Sequence, residues 1–508
     1  MVTYFRNQSL RRTINIKVAL IGCFLQSGFM LSAQRIDDYF QQIRKNEAEL
    51  TAFLSQMPKG GDLHNHYSGA VYGESYLNWL IEADYCVNPK TLELSAPSNG
   101  DECPSMAFSK FSFLKASMKS ADFEMLRSSL IRLWSTKEYD QVHSDAREEH
   151  FFASFNKFGA ASGMNYAEGL GELKKRAKAE NISYLEIMLR GVNCQQPTDS
   201  VPLVSNTDTV KYYRDSLISL GQIRDSLLLN EMLQKLYFVI STRLPLIKTA
   251  TAYNKFTDSL HRNFIASDSP VAIRFQAFIS RIGDPLTTFI NLLTAFETVK
   301  RSSSGNIVGL NIVAPEDNPI SMRDYWLHMQ FFAFCHARYP HVNYSMHAGE
   351  LTGSVVQPEE LTWHISSAVY VAGAKRIGHG VDIAYEKNNY TLLKYMSSKR
   401  IPVEINLLSN EFILGVKDDR HPVLLYKRFN VPIIISTDDP GISRTSLTEQ
   451  YVLLAKRYEE ISYGDIKKFV YNSIIYSFIS DPLLNERLIR DLDRRFLSFE
   501  NYILAEKP

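Results

Sequence analysis

No surplus of either charge marks this chain of 508 residues: 56 Lys and Arg stand against 55 Asp and Glu, a formal net charge of +1. Proteins whose main work is gripping nucleic acid or anionic lipid carry excess cations to neutralise phosphates, so that class is excluded as the principal role. Glycine and proline are sparse, at 24 and 19, which excludes collagen-like and low-complexity chains, and a hydrophobic share of 45% excludes disorder as a description of the whole. Phosphate-cradling turns are missing too, since neither G-x-G-x-x-G nor G-x-x-x-x-G-K-[ST] occurs. No repeat at a solenoid period and no acidic or basic tail is present. What remains is the profile of an ordinary globular protein with a small substrate.

The N-terminus has a character of its own. Arg6, Arg11, Arg12 and Lys17 precede an apolar run at 18–31, interrupted by Gln26 and Ser27, and Leu31, Ser32 and Ala33 supply small residues before Gln34. This pattern predicts a cleaved signal peptide over 1–33 and a secreted or periplasmic protein. The run is shorter than the roughly 20 apolar residues of a comfortable membrane span, and nowhere else is one long enough. An uncleaved anchor is one alternative; lipoprotein cleavage at Cys23, after Leu20, Ile21 and Gly22, is another, disfavoured because apolar Phe24 and Leu25 follow. Cys86 and Cys103 bracket a loop rich in Pro, Asn and Ser, so a Cys86–Cys103 disulfide is expected in an oxidising compartment, with two free thiols as the alternative. Cys194 and Cys335 stand in apolar contexts and read as packing residues.

From residue 57 onward short apolar runs alternate with long amphipathic stretches, the pattern of βα units. Eight candidate strands are found, at 61–66, 184–189, 236–242, 307–313, 342–347, 376–379, 402–406 and 431–437. Eight such units are what a closed (β/α)8 TIM-type barrel requires. Length alone suggests about three domains, but one insertion-bearing barrel over 57–508 accounts for most of the chain. A loop-rich module is expected at about 84–108, helices over 111–178, and a polar loop leading into an amphipathic helix over 193–230. Ahead of the barrel, Ile36, Tyr39, Phe40, Ile43, Leu50 and Phe53 recur at helical spacing within 34–56. The apolar face of that helical extension needs a partner, either the barrel or, in a homodimer, a second subunit.

His64-Asn65-His66 ends the first strand, and residues i and i+2 of a strand project to one face, so both imidazoles can meet one cation. Taken alone the pair is a weak signal. Other ligand-type residues fall at the C-terminal ends of later strands: His347-Ala348-Gly349-Glu350 after the fifth, Gly378-His379-Gly380 at the sixth, and Ser436-Thr437-Asp438-Asp439-Pro440 at the eighth. In a barrel these ends are neighbours and form the catalytic face. His64, His66, His347 and Asp438 supply three nitrogens and one carboxylate, a set suited to Zn²⁺ with a position left for water. Glu350 can reach the site without ligating and donate a proton, His379 can orient the zinc-activated water and take its proton, and Asp439, diverging from Asp438, is placed for substrate. Each also has a bland reading: a rim salt bridge for Glu350, a satisfied core histidine for His379, and a turn-starting residue for Asp439. His143, His150, His261, His328, His336, His341, His364 and His421 lie away from strand ends and read as surface or packing residues.

These motifs, beginning with Met57-Pro58-Lys59-Gly60-Gly61-Asp62-Leu63-His64-Asn65-His66 and including Arg376-Ile377-Gly378-His379-Gly380, resemble the adenosine deaminase family in order and spacing. The leader, the helix before the barrel, the cysteine-bearing insertion and Leu408-Ser409-Asn410 most resemble its secreted growth-factor-related branch. The resemblance implies zinc-dependent hydrolytic deamination of adenosine or 2′-deoxyadenosine, with one zinc held by His64, His66, His347 and Asp438. It further implies that Glu350 protonates purine N1, His379 positions the hydroxide that attacks C6, and Asp439 binds N7. The sequence departs from the family at two points. Ser68 stands where an Asp commonly meets the ribose 5′-hydroxyl. Within Gly309-Leu310-Asn311-Ile312-Val313-Ala314-Pro315-Glu316, Ala314 replaces a Gly whose N–H meets purine N3, with Glu316 beside it. Two other readings remain at this stage: a related metal-dependent amidohydrolase acting on adenine, a modified nucleoside or a non-purine amide, and an extracellular growth-factor-like protein that binds nucleosides.

Overall fold

The computed structural model describes residues 34–98, 102–139, 146–194, 207–243, 245–265 and 267–506. The expected leader at 1–33, with Cys23, and also His143 lie outside them. Eight parallel strands build the centre: β1 (Gly61–His66), β2 (Tyr184–Gly191), β3 (Ala272–Ser280), β4 (Ile307–Val313), β5 (Ser345–Ala348), β6 (Arg376–His379), β7 (Val403–Ile405) and β8 (Ile433–Ile435). They form two four-stranded sheets, ordered β1-β2-β3-β4 and β8-β7-β6-β5. Parallel bridges between Leu310 and Tyr344, and between Asn65 and Asp438, join the sheets at both edges. The result is the closed (β/α)8 barrel that the alternation of patterns predicts. Asp62 reinforces the second seam: Thr437 Oγ1 donates to its Oδ2 at 2.5 Å, and the Thr437 N–H donates to Oδ1 at 3.2 Å.

One expected strand is wrong. Residues 236–242 belong to the helix Ser226–Arg243, and the third barrel strand is Ala272–Ser280. The stretch Leu236-Tyr237-Phe238-Val239-Ile240 has strand-like composition, but Leu229, Leu233, Leu236 and Ile240 are all buried, at the three- and four-residue spacing of a helix face. The true third strand lacks a continuous apolar run because Arg274 and Gln276 alternate with Phe275, Ala277 and Ile279. Gln276 Nε2 donates to Glu186 Oε1 at 2.9 Å within a polar interior, so burial here does not mean apolar.

The N-terminal extension is two helices, 34–43 and Glu47–Gln56. Asn46 breaks the expected single helix, and its side chain accepts from the N–H groups of Ala48 and Glu49. Its apolar face packs on the chain's own C-terminal helices: the Phe53 ring lies 5.8 Å from Tyr463 and 5.0 Å from Phe499. Of the two expected partners, the barrel body thus covers this face. The module after β1 holds three short antiparallel strands, Cys86–Val87, Leu94–Ser95 and Ser109–Lys110. A Cys86–Cys103 disulfide closes it. Cys194 and Cys335 are buried. Helices Phe111–Ser117, Ser120–Leu133, Arg147–Phe158 and Tyr166–Ala179 fill the region expected to be helical. Among the described residues no helix is long and apolar enough to cross a membrane.

Candidate metal centre

Closure of the barrel creates the site. At the β1–β8 seam the His66 N–H donates to the Asp438 carbonyl at 3.0 Å and the Asp438 N–H to the His64 carbonyl at 2.9 Å, which sets both histidines beside the carboxylate. His347 arrives from the end of β5. Its Nε2 lies 3.1 Å from His64 Nε2 and 3.2 Å from His66 Nε2, and Asp438 Oδ1 lies 3.5 and 3.3 Å from the latter two nitrogens. A tetrahedral zinc with bonds of about 2.0–2.1 Å has donor-to-donor edges of about 3.3 Å. Gly378 makes this convergence possible, since a Cβ there would sit 2.8 Å from His64 Cε1.

The chemistry of the donors tests whether a cation fits. His64 Nδ1 lies 2.8 Å from Glu404 Oε2, and His347 Nδ1 lies 3.0 Å from Asn311 Oδ1. The Ile312 N–H donates to that same Asn311 oxygen at 2.8 Å, so the amide is oriented with its acceptor toward His347. Both partners are acceptors, which places the ring protons on Nδ1 and bare lone pairs on Nε2. Two such lone pairs facing each other repel unless a cation or proton lies between them. Burial opposes a charge on His64, but Asp438 and Glu404 outweigh it and push the imidazole up to about 10 when no metal competes. For His347 burial dominates, helped by the neighbouring imidazoles, and protonation is driven well below the usual histidine range. The residues fit a divalent metal.

The other expected residues surround this cage. Glu350 and His379 are both buried, with Glu350 Oε1 3.2 Å from His379 Nδ1, and His379 Nε2 lies 3.9 Å from Asp438 Oδ2. Burial, reinforced by the charges of Asp438 and Glu316, pushes the Glu350 carboxyl well above its ordinary range. Asp439 is raised likewise by burial and by Asp438. Gly69 gives Asp439 its place, because a Cβ at residue 69 would lie 1.6 Å from Asp439 Oδ1. Ser68 is half-buried in the short helix directly after β1.

Ala314 has φ +89°, and His379 and Asp438 have φ +66° and +65°. Three non-glycine residues at strand ends thus hold left-handed backbone, a strain of about 1–3 kcal/mol each that concentrates at functional sites. Ala314→Gly should relieve more strain than the added chain entropy of glycine costs, raising stability by up to about 1 kcal/mol. A lower denaturation midpoint for the variant would show that no strain is held there.

Glu316, expected beside Ala314 at the substrate, has its carboxylate engaged by the protein. Its carboxylate accepts the N–H groups of Gly349 and Glu350 at 3.1 and 3.0 Å, and His364 Nδ1 lies 2.7 Å away. With both oxygens engaged, it fastens the turn carrying Glu350. Sequence reasoning also missed Glu404 and Asn311 beside the two ligands. Arg376 holds Glu404 through Nε at 2.5 Å and reaches Glu186 through Nη2 at 2.5 Å. Burial works against the Glu404 charge, but Arg376 and His64 outweigh it and hold the carboxyl down to about 2. A glutamate inside the buried strand β7 is itself a signal, since an unpaired charge there would be prohibitively costly. His364 and His421, read as packing residues, are in fact hydrogen-bonded to site-supporting groups.

A closed barrel that gathers three imidazoles and one carboxylate at its C-terminal strand ends, with a buried carboxyl beside them, has the architecture of a barrel metallohydrolase. The family model for adenosine deaminase matches residues 252–494, which include His347, Glu350, His379, Asp438 and Asp439. Over that segment, a little under half of the chain, the protein is similar to the adenosine deaminase family. It is 33% identical over 177 residues to the adenosine deaminase of Clostridium kluyveri, covering 35% of this chain and 46% of that one. It is 32% identical over 139 residues to the aminodeoxyfutalosine deaminase of Streptomyces coelicolor, covering 27% of this chain and 32% of that one. The matched segments thus span less than half the length of these curated relatives. Among solved structures, the Arabidopsis N6-mAMP deaminase shares the fold at 17% identity and a TM-score of 0.50, over 87% of this chain and 99% of that one. An amidohydrolase of Burkholderia ambifaria with bound Zn does so at 15% identity and a TM-score of 0.50, over 90% of this chain and 95% of that one.

Proposed function

We propose that the protein is a zinc-dependent hydrolytic deaminase that converts adenosine and 2′-deoxyadenosine to inosine and 2′-deoxyinosine with release of ammonia. The observation that carries this reading is a buried carboxyl, Glu350, beside a convergent His64, His66, His347 and Asp438 cage, with its ionisation opposed by burial and by the charge of Asp438. Bound zinc would lower the pKa of water and supply a nucleophile at neutral pH. The purine C6 resists attack until N1 is protonated, and Glu350 holds the proton that N1 needs. Purine N7 offers only a lone pair, so a partner must donate; Asp439, its carboxyl pushed above the ordinary range by burial and Asp438, is the candidate. His379, whose ring lies 4.9 Å from that of His64, is placed to orient the attacking water. Water oxygen first adds to C6; the amino group then leaves as ammonia with one proton of the water while the other restores Glu350, N1 keeps the proton it received, and the C6–O bond becomes the carbonyl.

The protein is further proposed to act outside the cytoplasm, secreted or periplasmic, on a nucleoside and without nucleic acid. The basic and apolar leader supports this, as does the Cys86–Cys103 disulfide, a bond that persists in oxidising compartments. A second reading, deamination of adenine or another modified purine by the same machinery, is favoured by Ser68. This neutral side chain stands where the family commonly places a carboxylate for the ribose 5′-hydroxyl. Ammonia release from adenosine, 2′-deoxyadenosine and adenine, assayed side by side, separates the two. The nucleosides should turn over fastest; turnover of the free base alone would overturn the assignment.

A further inference from the structure

Beyond the residues that meet metal or substrate, a buried chain of polar groups leads to His379 from the far side. It begins at a backbone amide. The Val423 N–H donates to His421 Nδ1 at 3.3 Å, and an amide N–H can only donate, so His421 Nδ1 is an acceptor. Burial drives His421 protonation down to about 3, so the ring is neutral and its single proton is on Nε2. That Nε2 lies 3.2 Å from Asn410 Oδ1, which therefore accepts. The amide of Asn410 is thereby oriented, and its Nδ2 lies 3.0 Å from His379 Nδ1. The polarity passes from group to group without a free choice, and it ends with His379 Nδ1 as an acceptor.

From this directional chain we infer that Asn410 and His421 are positioning residues that lock His379 in its Nε2–H tautomer, so that the imidazole faces the site as a hydrogen-bond donor. The inference rests on the function proposed above. Asn406 Nδ2, 3.5 Å from the same His379 Nδ1, adds a second amide donor on that side. His379 Nε2 is buried and has no protein hydrogen-bond partner, as expected of a donor reserved for a ligand. A donor fixed before the substrate arrives, aimed where negative charge gathers on oxygen, stabilises the transition state without reorganising. Its position also makes His379 an orienting group instead of a proton acceptor at Nε2. The competing arrangement is visible as well: Glu350 Oε1 lies 3.2 Å from His379 Nδ1 and would accept a proton from it if the tautomer were reversed.

Ring nitrogens of the zinc-loaded full chain, labelled with 15N-histidine, report the tautomer directly, with the His379 signals identified by their loss in His379→Gln. Wild-type protein should show a protonated Nε2 and a bare Nδ1. Asn410→Asp replaces the donor by an acceptor and should reverse the tautomer. It should lower kcat for adenosine by about 100-fold or more, with KM changed by no more than about twofold and zinc content unchanged. His421→Gln can still donate to Asn410 Oδ1 and should keep both the tautomer and most of kcat, whereas His421→Leu should lose both. A wild-type His379 protonated on Nδ1 overturns the inference whatever the variants do, and so does Asn410→Asp with a reversed tautomer and undiminished kcat. The nitrogen measurement involves no substrate, so it decides the inference even if adenosine is not turned over; that result would count against the proposed function alone.

Discussion

Glu350→Gln is expected to keep one zinc per chain and the native fold while lowering kcat by about 10³-fold, within the range for loss of a general acid. Glu350 stands outside the group of His64, His66, His347 and Asp438 and falls in a second candidate group with His379 and Asp438, so its amide analogue leaves the first group its four ligands. Its backbone N–H is held by Glu316 and does not depend on the side chain. What the substitution removes is a carboxyl at a place where burial and the charges of Asp438 and Glu316 oppose its ionisation. A glutamine N–H is far too weak an acid to protonate a purine nitrogen, although it can still donate a hydrogen bond. KM should therefore change less than kcat. Metal analysis together with steady-state kinetics checks the prediction. Loss of zinc from the variant would mean that Glu350 is a ligand and that its assigned role is wrong.

His64→Ala should have the opposite signature, with zinc lost first and activity lost because of it. The imidazole is fully buried, supplies one corner of the cage, and anchors Glu404, whose other contacts run to Arg376 and Ser345. Its removal deletes a metal ligand and strips a buried carboxylate of one partner, at a cost of about 1–3 kcal/mol for the unsatisfied group. Zinc occupancy after dialysis should fall well below one per chain, turnover should fall to background, and the melting temperature should drop relative to Glu350→Gln. A His64→Ala protein with full zinc and near-normal turnover would remove His64 from the centre.

The comparison of these two variants also shows why parts of the site were legible in the sequence and parts were not. His64 and His66 are two apart on a strand and share a face, so their common target follows from the period of the β-strand. His347, His379 and Asp438 are hundreds of residues away, and only the expectation of a barrel brings them together. That expectation survived the misplacement of the third strand because a barrel needs eight strands, not particular ones. The error itself arose from the polar interior: Arg274 and Gln276 gave β3 the look of an exposed segment, although both side chains are buried. Asn311, Glu404, Asn410 and His421 went unrecognised for a related reason. Glu404 acts on His64 across 340 positions, Asn311 on His347 across 36, Asn410 on His379 across 31 and His421 on Asn410 across 11, all beyond the two- to four-residue spacings at which a strand or a helix brings side chains together. Their signal was a polar residue inside an apolar context, which reads as a tolerated exception until the partner is seen.

The central claim is that a zinc held by His64, His66, His347 and Asp438 serves deamination of a purine nucleoside. Ammonia released from adenosine, measured against zinc content as metal is removed by a chelator and restored, tests it most directly. The account predicts turnover that falls in proportion to zinc, disappears in the metal-free protein and returns when Zn²⁺ is added back. Undiminished turnover without metal, or a fully zinc-loaded protein that binds adenosine and releases no ammonia, would contradict it.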